Sequence, residues 1–346
     1  MKKLLTFVSA ITAGAIGTAA ADVSVAGSGT FYYSSSSGDT NHAEQEDSMS
    51  IAGGAVTFAM STETTNGITV TAGATISRDT DDIAEYTAAG VAGSQGVVGG
   101  MSSLTFGMDG MTVTLGDIDN AGSGTGEGGD VATFASTHAG TILTDSNAAA
   151  NNSVMDGIAD GTGINISTSM GAASIDITYV STVSSGSNSL LDNATTTGRD
   201  NGMALNIGFE MGGATINAAT GANSANAAGD KNDTGSALEI TYPVSDALSV
   251  TVGGSSGTKG NDQEDNIFVA GAYTMDADTT LSFGYGKGDN TETGGTVDKA
   301  TAMTLNLSRS LGGGVSVFAE YASVSEDQAA VGTSGTAMTV GTSVSF

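Results

Sequence analysis

The stretch Met203-Ala204-Leu205-Asn206-Ile207-Gly208-Phe209-Glu210-Met211 decides how this chain folds. Successive side chains of a strand point to opposite faces. Met203, Leu205, Ile207, Phe209 and Met211 therefore share one side, and Asn206, Gly208 and Glu210 share the other. Gly212-Gly213 follows at once, and Ala214–Thr220 takes the alternation up again, so the segment is a hairpin with one apolar and one wet face. Leu281, Phe283 and Tyr285 oppose Thr280, Ser282 and Gly284 in the same way.

Working outward, alternation predicts sixteen strands. They are Val23–Ser34, Ser48–Thr62, Gly67–Arg78, Met101–Asp109, Met111–Ile118, Thr162–Met170, Ala172–Val183 and Gly202–Met211. The second half holds Ala214–Thr220, Ser236–Tyr242, Ala247–Gly257, Asn266–Met275, Thr279–Lys287, Lys299–Leu311, Val315–Ser325 and Thr336–Phe346. Tight joints fall at Asp109-Gly110, Gly171-Ala172, Gly212-Gly213, Pro243 to Asp246, Asp276 to Asp278 and Gly312 to Gly314. Long polar stretches such as Gly38 to Asp47, Asp79 to Gly100 and Ser184 to Asp200 lie between them. Short turns on one side and large loops on the other characterise a closed membrane barrel, and an even count near sixteen leaves an aqueous channel. A soluble sandwich with one wet face also alternates, but here no loop carries apolar cover for the outer face. The expected fold is all-β, a 16-stranded antiparallel transmembrane β-barrel over residues 22–346.

Composition agrees. The chain has 52 glycines and one proline in 346 residues, but the glycines alternate with Val, Ile, Phe, Tyr and Met, which favours strands over disorder. Mean hydropathy is +0.05, as expected when only every second residue is apolar. Residues 1–21 read as a secretory leader: Lys2 and Lys3 are basic, Leu4 to Ile16 apolar, and Ala19-Ala20-Ala21 offers a small-residue cleavage site. With no cysteine, stability must come from barrel closure rather than disulfides. The net charge is −28, from 37 acidic and nine basic residues. Such a surface excludes nucleic acid and anionic lipid as partners and favours cations, as permeants or as bridges between loops.

In the last strand, Met338, Val340, Thr342, Val344 and Phe346 share a face and end on the terminal aromatic. The pattern Met338, Val340, Val344, Phe346 resembles the assembly signal of outer-membrane barrels. Phe346 is expected at the periplasmic interface, and its strand is expected to pair with Val23–Ser34, removing both sheet edges.

Three further segments carry a family resemblance: Val56-Thr57-Phe58-Ala59-Met60-Ser61-Thr62 with Asn66-Gly67-Ile68, then Leu115-Gly116-Asp117-Ile118-Asp119-Asn120-Ala121, then Leu311-Gly312-Gly313-Gly314-Val315. Each is weak alone. In this order and spacing the whole chain after residue 21 resembles the Gram-negative general-diffusion porins, most of all those of alphaproteobacteria. The resemblance implies a homotrimer in the outer membrane of a Gram-negative bacterium, in contact with outer-membrane lipid and lipopolysaccharide. It also implies insertion by the barrel assembly machinery and passage of small hydrophilic solutes. In that family the third long loop folds into the barrel, and residues 119–161 match it. A long loop with no strand pattern calls for such an account. Asp117, Asp119, Glu127, Asp130 and Asp145 are then expected near the narrowest point.

The chain departs from the family on the wall facing that loop, where Arg or Lys is usual. Arg78, Arg199, Lys231, Lys259, Lys287, Lys299 and Arg309 lie in loops or near strand ends, and Arg78 and Lys287 share the parity of lipid-facing residues. Asp176, Glu210, Glu239 and Glu320 instead take polar-face positions inside strands. The expected lumen is negative on both sides, and a ring of one sign selects its counter-ions.

Other motifs carry less. Gly122 to Asp130 is glycine-rich but lacks the Lys-Ser/Thr of a phosphate loop and the repetition of a calcium β-roll. Asp79, Asp81, Asp82 and Glu85 could hold Ca²⁺, as could Asp262, Glu264 and Asp265, although solvated loop charge explains both clusters; no other cofactor is implied. His42 and His138 lack partners at metal or catalytic spacing, and a wide wet lumen gives no desolvation to shift a pKa, so no enzyme is expected. Two rivals remain. A substrate-specific channel would need an aromatic or basic ladder, but the chain has no Trp and no basic wall. A secreted, acidic, calcium-binding surface or adhesin protein leaves the terminal Phe and the two-sided loop rhythm unexplained.

Overall fold

The computed structural model describes residues 22–38, 48–64, 67–78, 97–98, 101–118, 125, 154–155, 158–183, 201–224, 232–259, 262–291, 297–327 and 333–346. The leader at 1–21 lies outside them. Seventeen strand segments form a single antiparallel sheet. In order they are β1 (Asp22–Gly38), β2 (Ser48–Glu63), β3 (Thr69–Arg78), β4 (Val97–Val98), β5 (Met101–Met108), β6 (Met111–Ile118), β7 (Gly161–Met170) and β8 (Ala173–Val183). Then follow β9 (Gly202–Met211), β10 (Ala214–Asn223), β11 (Asp233–Pro243), β12 (Leu248–Lys259), β13 (Asp262–Thr274), β14 (Thr279–Thr291), β15 (Val297–Gly312), β16 (Val315–Asp327) and β17 (Thr333–Ser345). β4 and β5 both pair with β3 and act as two pieces of one stave, so the wall has sixteen staves.

β1 pairs with β2 on one side and with β17 on the other, which closes the barrel. Closure matters because an unpaired edge in lipid would leave backbone N–H and C=O groups without partners. Phe346 completes it: its N–H donates to the Gly27 carbonyl at 2.9 Å, and its own carbonyl accepts from Gly27 N–H at 2.8 Å. The expected pairing of the last strand with the first is therefore present.

The tight joints fall where the sequence put them. Gly212 and Gly213 have φ of 61° and 83°, both in the left-handed region that a two-residue hairpin turn requires. At the other end the strands outrun their apolar alternation. β11 begins at Asp233 rather than Ser236, and β13 at Asp262 rather than Asn266, so only residues 260–261 separate β12 from β13. Above the lipid both faces of a hairpin are wet, and polar residues such as Thr234, Ser236 and Gln263 give no apolar signal that a strand continues.

Register separates two faces all the way round. Met203, Leu238, Ile267, Met303 and Met338 are outward and exposed. The opposite face carries small and polar residues, among them hydroxyl pairs across neighbouring strands: Thr30 with Ser343 at 3.0 Å, Thr57 with Thr75 at 3.1 Å, Thr105 with Thr114 at 3.0 Å and Thr241 with Thr251 at 2.9 Å. Such pairs order the wet parts of the inner surface, beside an apolar cluster of Phe268, Ala270, Ala300, Ala302, Ala322, Val324 and Ala337 on the same face. The outward tyrosines sort by height. Tyr242 and Tyr273 lie beside the tight turns, and Tyr33, Tyr179 and Tyr285 lie toward the long-loop end. Two aromatic girdles are what a spanning barrel needs at the two water interfaces.

Candidate functional site: the inner wall

Rows of register partners place the inner carboxylates. Asp176 of β8 faces Asn206 of β9, and Glu210 faces Thr215 of β10. Asn217 of β10 faces Glu239 of β11, and Asn223 faces Asp233. Glu264 of β13 lies between Gly257 and Asn290. Glu320 of β16 lies between Asn306 of β15 and Thr339 of β17. All share the face of Asn206 and Thr241. The four wall residues expected from sequence, Asp176, Glu210, Glu239 and Glu320, are thus on the inner face. Asp233, Asp262 and Glu264 join them. They were missed because they precede the apolar alternation of β11 and β13; the small residues Gly235 and Ala237 on the same parity were the available signal.

Most basic residues at described positions go the other way. Lys287 pairs in register with Ile267 and Thr301, Lys299 with Asp289 and Asp327, and Arg309 with Thr279 and Val317. All three lie on the outward face, and the register position of Arg78, which pairs with Val97, shares the parity of the outward Ile76. Among the described residues Lys259, at the long-loop end of β12 and paired with Asp262, is the one basic residue at an inner-face register position.

Several inner groups are held in place. Ser167 donates to Asp176 and lies 3.1 Å from Asn165 Oδ1, while Asn165 Nδ2 donates to the Thr178 hydroxyl at 3.0 Å. Glu320 is 4% exposed. Its neighbours Asn306 and Thr339 each bury an oxygen, Oδ1 and Oγ1, without a hydrogen-bond partner. Buried acceptors beside a carboxylate mark a place where water or a cation gains contacts.

The segment between β6 and β7 touches this wall at each described point. Thr125 Oγ1 donates to Asn206 Oδ1 at 3.0 Å. Val154 N–H donates to Ser255 Oγ at 3.3 Å, and Ala159 N–H to Asn223 Oδ1 at 2.8 Å. Glycines make room for it. A Cβ on Gly235 would come within 2.8 Å of Ile158 Cδ1 and 2.9 Å of Met155 Sδ, and one on Gly202 within 2.8 Å of Ala159 Cα. Met155, Ile158 and Ala159 are buried with Ile118, Val180, Ala204, Ala219 and Ala237 in one cluster.

The constriction carboxylates fare differently. Asp119, Glu127, Asp130 and Asp145 lie outside the described residues, as do Asp79, Asp81, Asp82 and Glu85. Asp117 is described. It pairs with Thr162 and takes the parity of Val113 and Leu115, while Ile118 turns inward and is buried. By register its position is outward, although Gly116 just before it has φ of 129°, outside strand geometry. Among the described residues no group of three or more His, Cys, Asp or Glu could hold a metal ion.

At the tight-turn end, Asp276 holds the hairpin between β13 and β14. Its Oδ1 accepts from Asp278 N–H at 2.9 Å and its Oδ2 from the Thr279 hydroxyl at 3.1 Å. Arg309 Nη1 lies 3.8 Å from Oδ2. These hold the Asp276 carboxyl below its ordinary range, first through the Asp278 N–H, then through Thr279, with Arg309 adding less.

Solved structures share the architecture. A loop-L8 deletion mutant of OmpT, an outer membrane protein of Vibrio cholerae, superposes with a TM-score of 0.64 at 14% identity, covering 94% of this chain and 99% of that one. A mutant of Rh. blastica porin gives 0.62 at 18% identity, covering 94% and 100%. The anion-selective porin from Comamonas acidovorans gives 0.63 at 12% identity, again covering 94% and 100%. At these identities the likeness speaks to fold alone. No curated protein sequence matches the chain. The sequence profile described as Gram-negative porin, however, matches residues 6–329. A closed sixteen-stave barrel with a wet inner face, together with that match, places the chain in the family of Gram-negative outer-membrane porins.

Proposed function

We propose that the protein is a homotrimeric, passive diffusion channel for small hydrophilic solutes and ions, with preference for cations and no enzymatic activity. One observation carries the ion preference: the described inner face holds Asp176, Glu210, Asp233, Glu239, Glu264 and Glu320, against a single basic position among the described residues, Lys259 at the long-loop rim opposite Asp262. A wall of one sign raises the local concentration of counter-ions. Fold alone does not set the sign, since the similar Comamonas porin is anion-selective.

Residues 119–161 act as the constriction in this proposal. Support comes from the hydrogen bonds of Thr125, Val154 and Ala159 to the inner wall. Asp119, Glu127, Asp130 and Asp145 belong to the same segment. The trimer is proposed by analogy with a similar structure described as a trimer form, in-vitro folded OmpT of Vibrio cholerae. Met338, Val340, Val344 and Phe346 are proposed as the assembly signal.

Liposome swelling tests the channel. Neutral sugars should enter at rates that fall smoothly with size and rise linearly with concentration. Saturation at micromolar solute would replace this proposal with a substrate-specific channel.

A further inference from the structure

Near the middle of β16, Glu320 faces into the barrel and is 4% exposed. Register sets Asn306 of β15 opposite it on one side and Thr339 of β17 on the other, so three oxygen-bearing side chains stand in one row across three strands. Opposed side chains of this kind start about 4.5–5.5 Å apart at Cβ, close enough to bond directly. Here the flanking oxygens do not. Asn306 Oδ1 and Thr339 Oγ1 are both buried without a hydrogen-bond partner, and Thr339 as a whole is 1% exposed. Asn306 Oδ1 and the Glu320 carboxylate oxygens are both acceptors and cannot bond each other. The Thr339 hydroxyl has a proton it could give the carboxylate, yet makes no such bond.

Packing encloses the row. On its tight-turn side the Phe318 ring lies over Gly341, where a Cβ would run into it. On its long-loop side Ala322 and Ala337 are buried and belong with Ala302 and Val324 to one apolar cluster. Apolar rows above and below strengthen the attraction between a carboxylate and a cation. A carboxylate offers about four acceptor sites, so Glu320 can bind an ion beside its other contacts. The donors of the row are all oxygen, which suits a hard cation. One carboxylate matches one positive charge, and among the described residues no group of three or more His, Cys, Asp or Glu could hold a metal ion of higher charge. A water molecule would satisfy the same atoms but would set no charge against the buried carboxylate.

We infer that this row is a resident site for a monovalent alkali cation, held by the Glu320 carboxylate, Asn306 Oδ1 and Thr339 Oγ1, which ties β15, β16 and β17 together at mid-height. The ion is a fixed part of the wall rather than one in transit through the lumen. The chain itself supplies it, since a net charge of −28 concentrates cations around the protein.

Crystals of the detergent-extracted protein soaked in thallium(I), a heavy stand-in for potassium that anomalous scattering locates, test the site. Wild type should show an anomalous peak in contact with Glu320, Asn306 and Thr339. Glu320→Gln should abolish it. Thr339→Val, which keeps the shape and removes one ligand, should weaken binding about ten-fold, from the value of one hydrogen-bonding group. In solution, the midpoint for loss of heat-modifiable electrophoretic mobility should rise with sodium or potassium chloride and level off, at an ionic strength held constant with N-methylglucamine chloride. Asn306→Asp adds a second carboxylate and should shift that response toward calcium, which reads the site even if Glu320→Gln does not fold. No peak in the wild type, a peak indifferent to Glu320→Gln and Thr339→Val, or a midpoint that ignores the alkali ion overturns the inference and leaves the space to water.

Discussion

Ala159 N–H donates to Asn223 Oδ1 at 2.8 Å, tying the segment that follows β6 to the inner wall of β10. Ala159 has φ of 54°, a strained value for a residue with a side chain, so the hydrogen bond holds the backbone where it would not rest alone. Asn223→Ala removes the acceptor and leaves a buried N–H unpaired, at a cost of about 1–3 kcal/mol. The barrel itself loses no ladder bond. The expected outcome is a folded channel with larger or noisier single-channel conductance, and an unchanged trace would detach this contact from the pore.

The glycine cradle makes a sharper version. Gly235→Val would drive a side chain into Ile158 and Met155, both buried. Because the clash falls on the segment and not on the β10–β11 ladder, swelling assays should show faster entry of large sugars. Overpacking typically costs about 1–3 kcal/mol, which a closed barrel tolerates.

How much of this was legible in the sequence follows from what alternation reports. Met203 to Met211 stated its two faces outright, and the sixteen staves and their tight turns followed, because lipid outside and water inside impose the pattern on each spanning residue. The pattern falls silent where both faces are wet, so Asp233, Asp262 and Glu264 were missed as wall carboxylates. The cradle of Gly202, Gly221 and Gly235 was hidden for another reason: a glycine in a strand looks the same whether it faces open water or a packed Ile158.

At the tight-turn end, Arg309 donates to the Thr279 hydroxyl at 3.1 Å, which in turn donates to Asp276. The lowered pKa of Asp276 means its stabilising contribution is present above the unfolded value and lost as pH falls through the depressed folded value. The contribution is small, since the group is solvated. Thr279→Val should raise the Asp276 pKa more than Arg309→Gln, because the hydroxyl outweighs the distant guanidinium. Carboxyl carbon NMR titration reads both, and the reverse order would contradict the geometry.

Phe346 closes the barrel through Gly27, and its ring lies where a Gly27 side chain would go: a Cβ would meet Cζ at 2.4 Å. Gly27→Leu should therefore slow closure, seen as a smaller fraction of heat-modifiable, fast-migrating protein after refolding into detergent. Deleting Phe346 should do the same by removing two backbone hydrogen bonds. Normal yields from both variants would separate closure from this contact.

The reversal potential of the reconstituted channel across a potassium chloride gradient tests the central claim most directly. The inner carboxylates predict a potential on the potassium side, reduced by the paired changes Glu210→Gln and Glu239→Gln. It should also shrink with salt, as the screening length falls from ~10 Å at 0.1 M to ~3 Å at 1 M. A potential on the chloride side in the wild type would contradict the charge assignment and leave only the barrel.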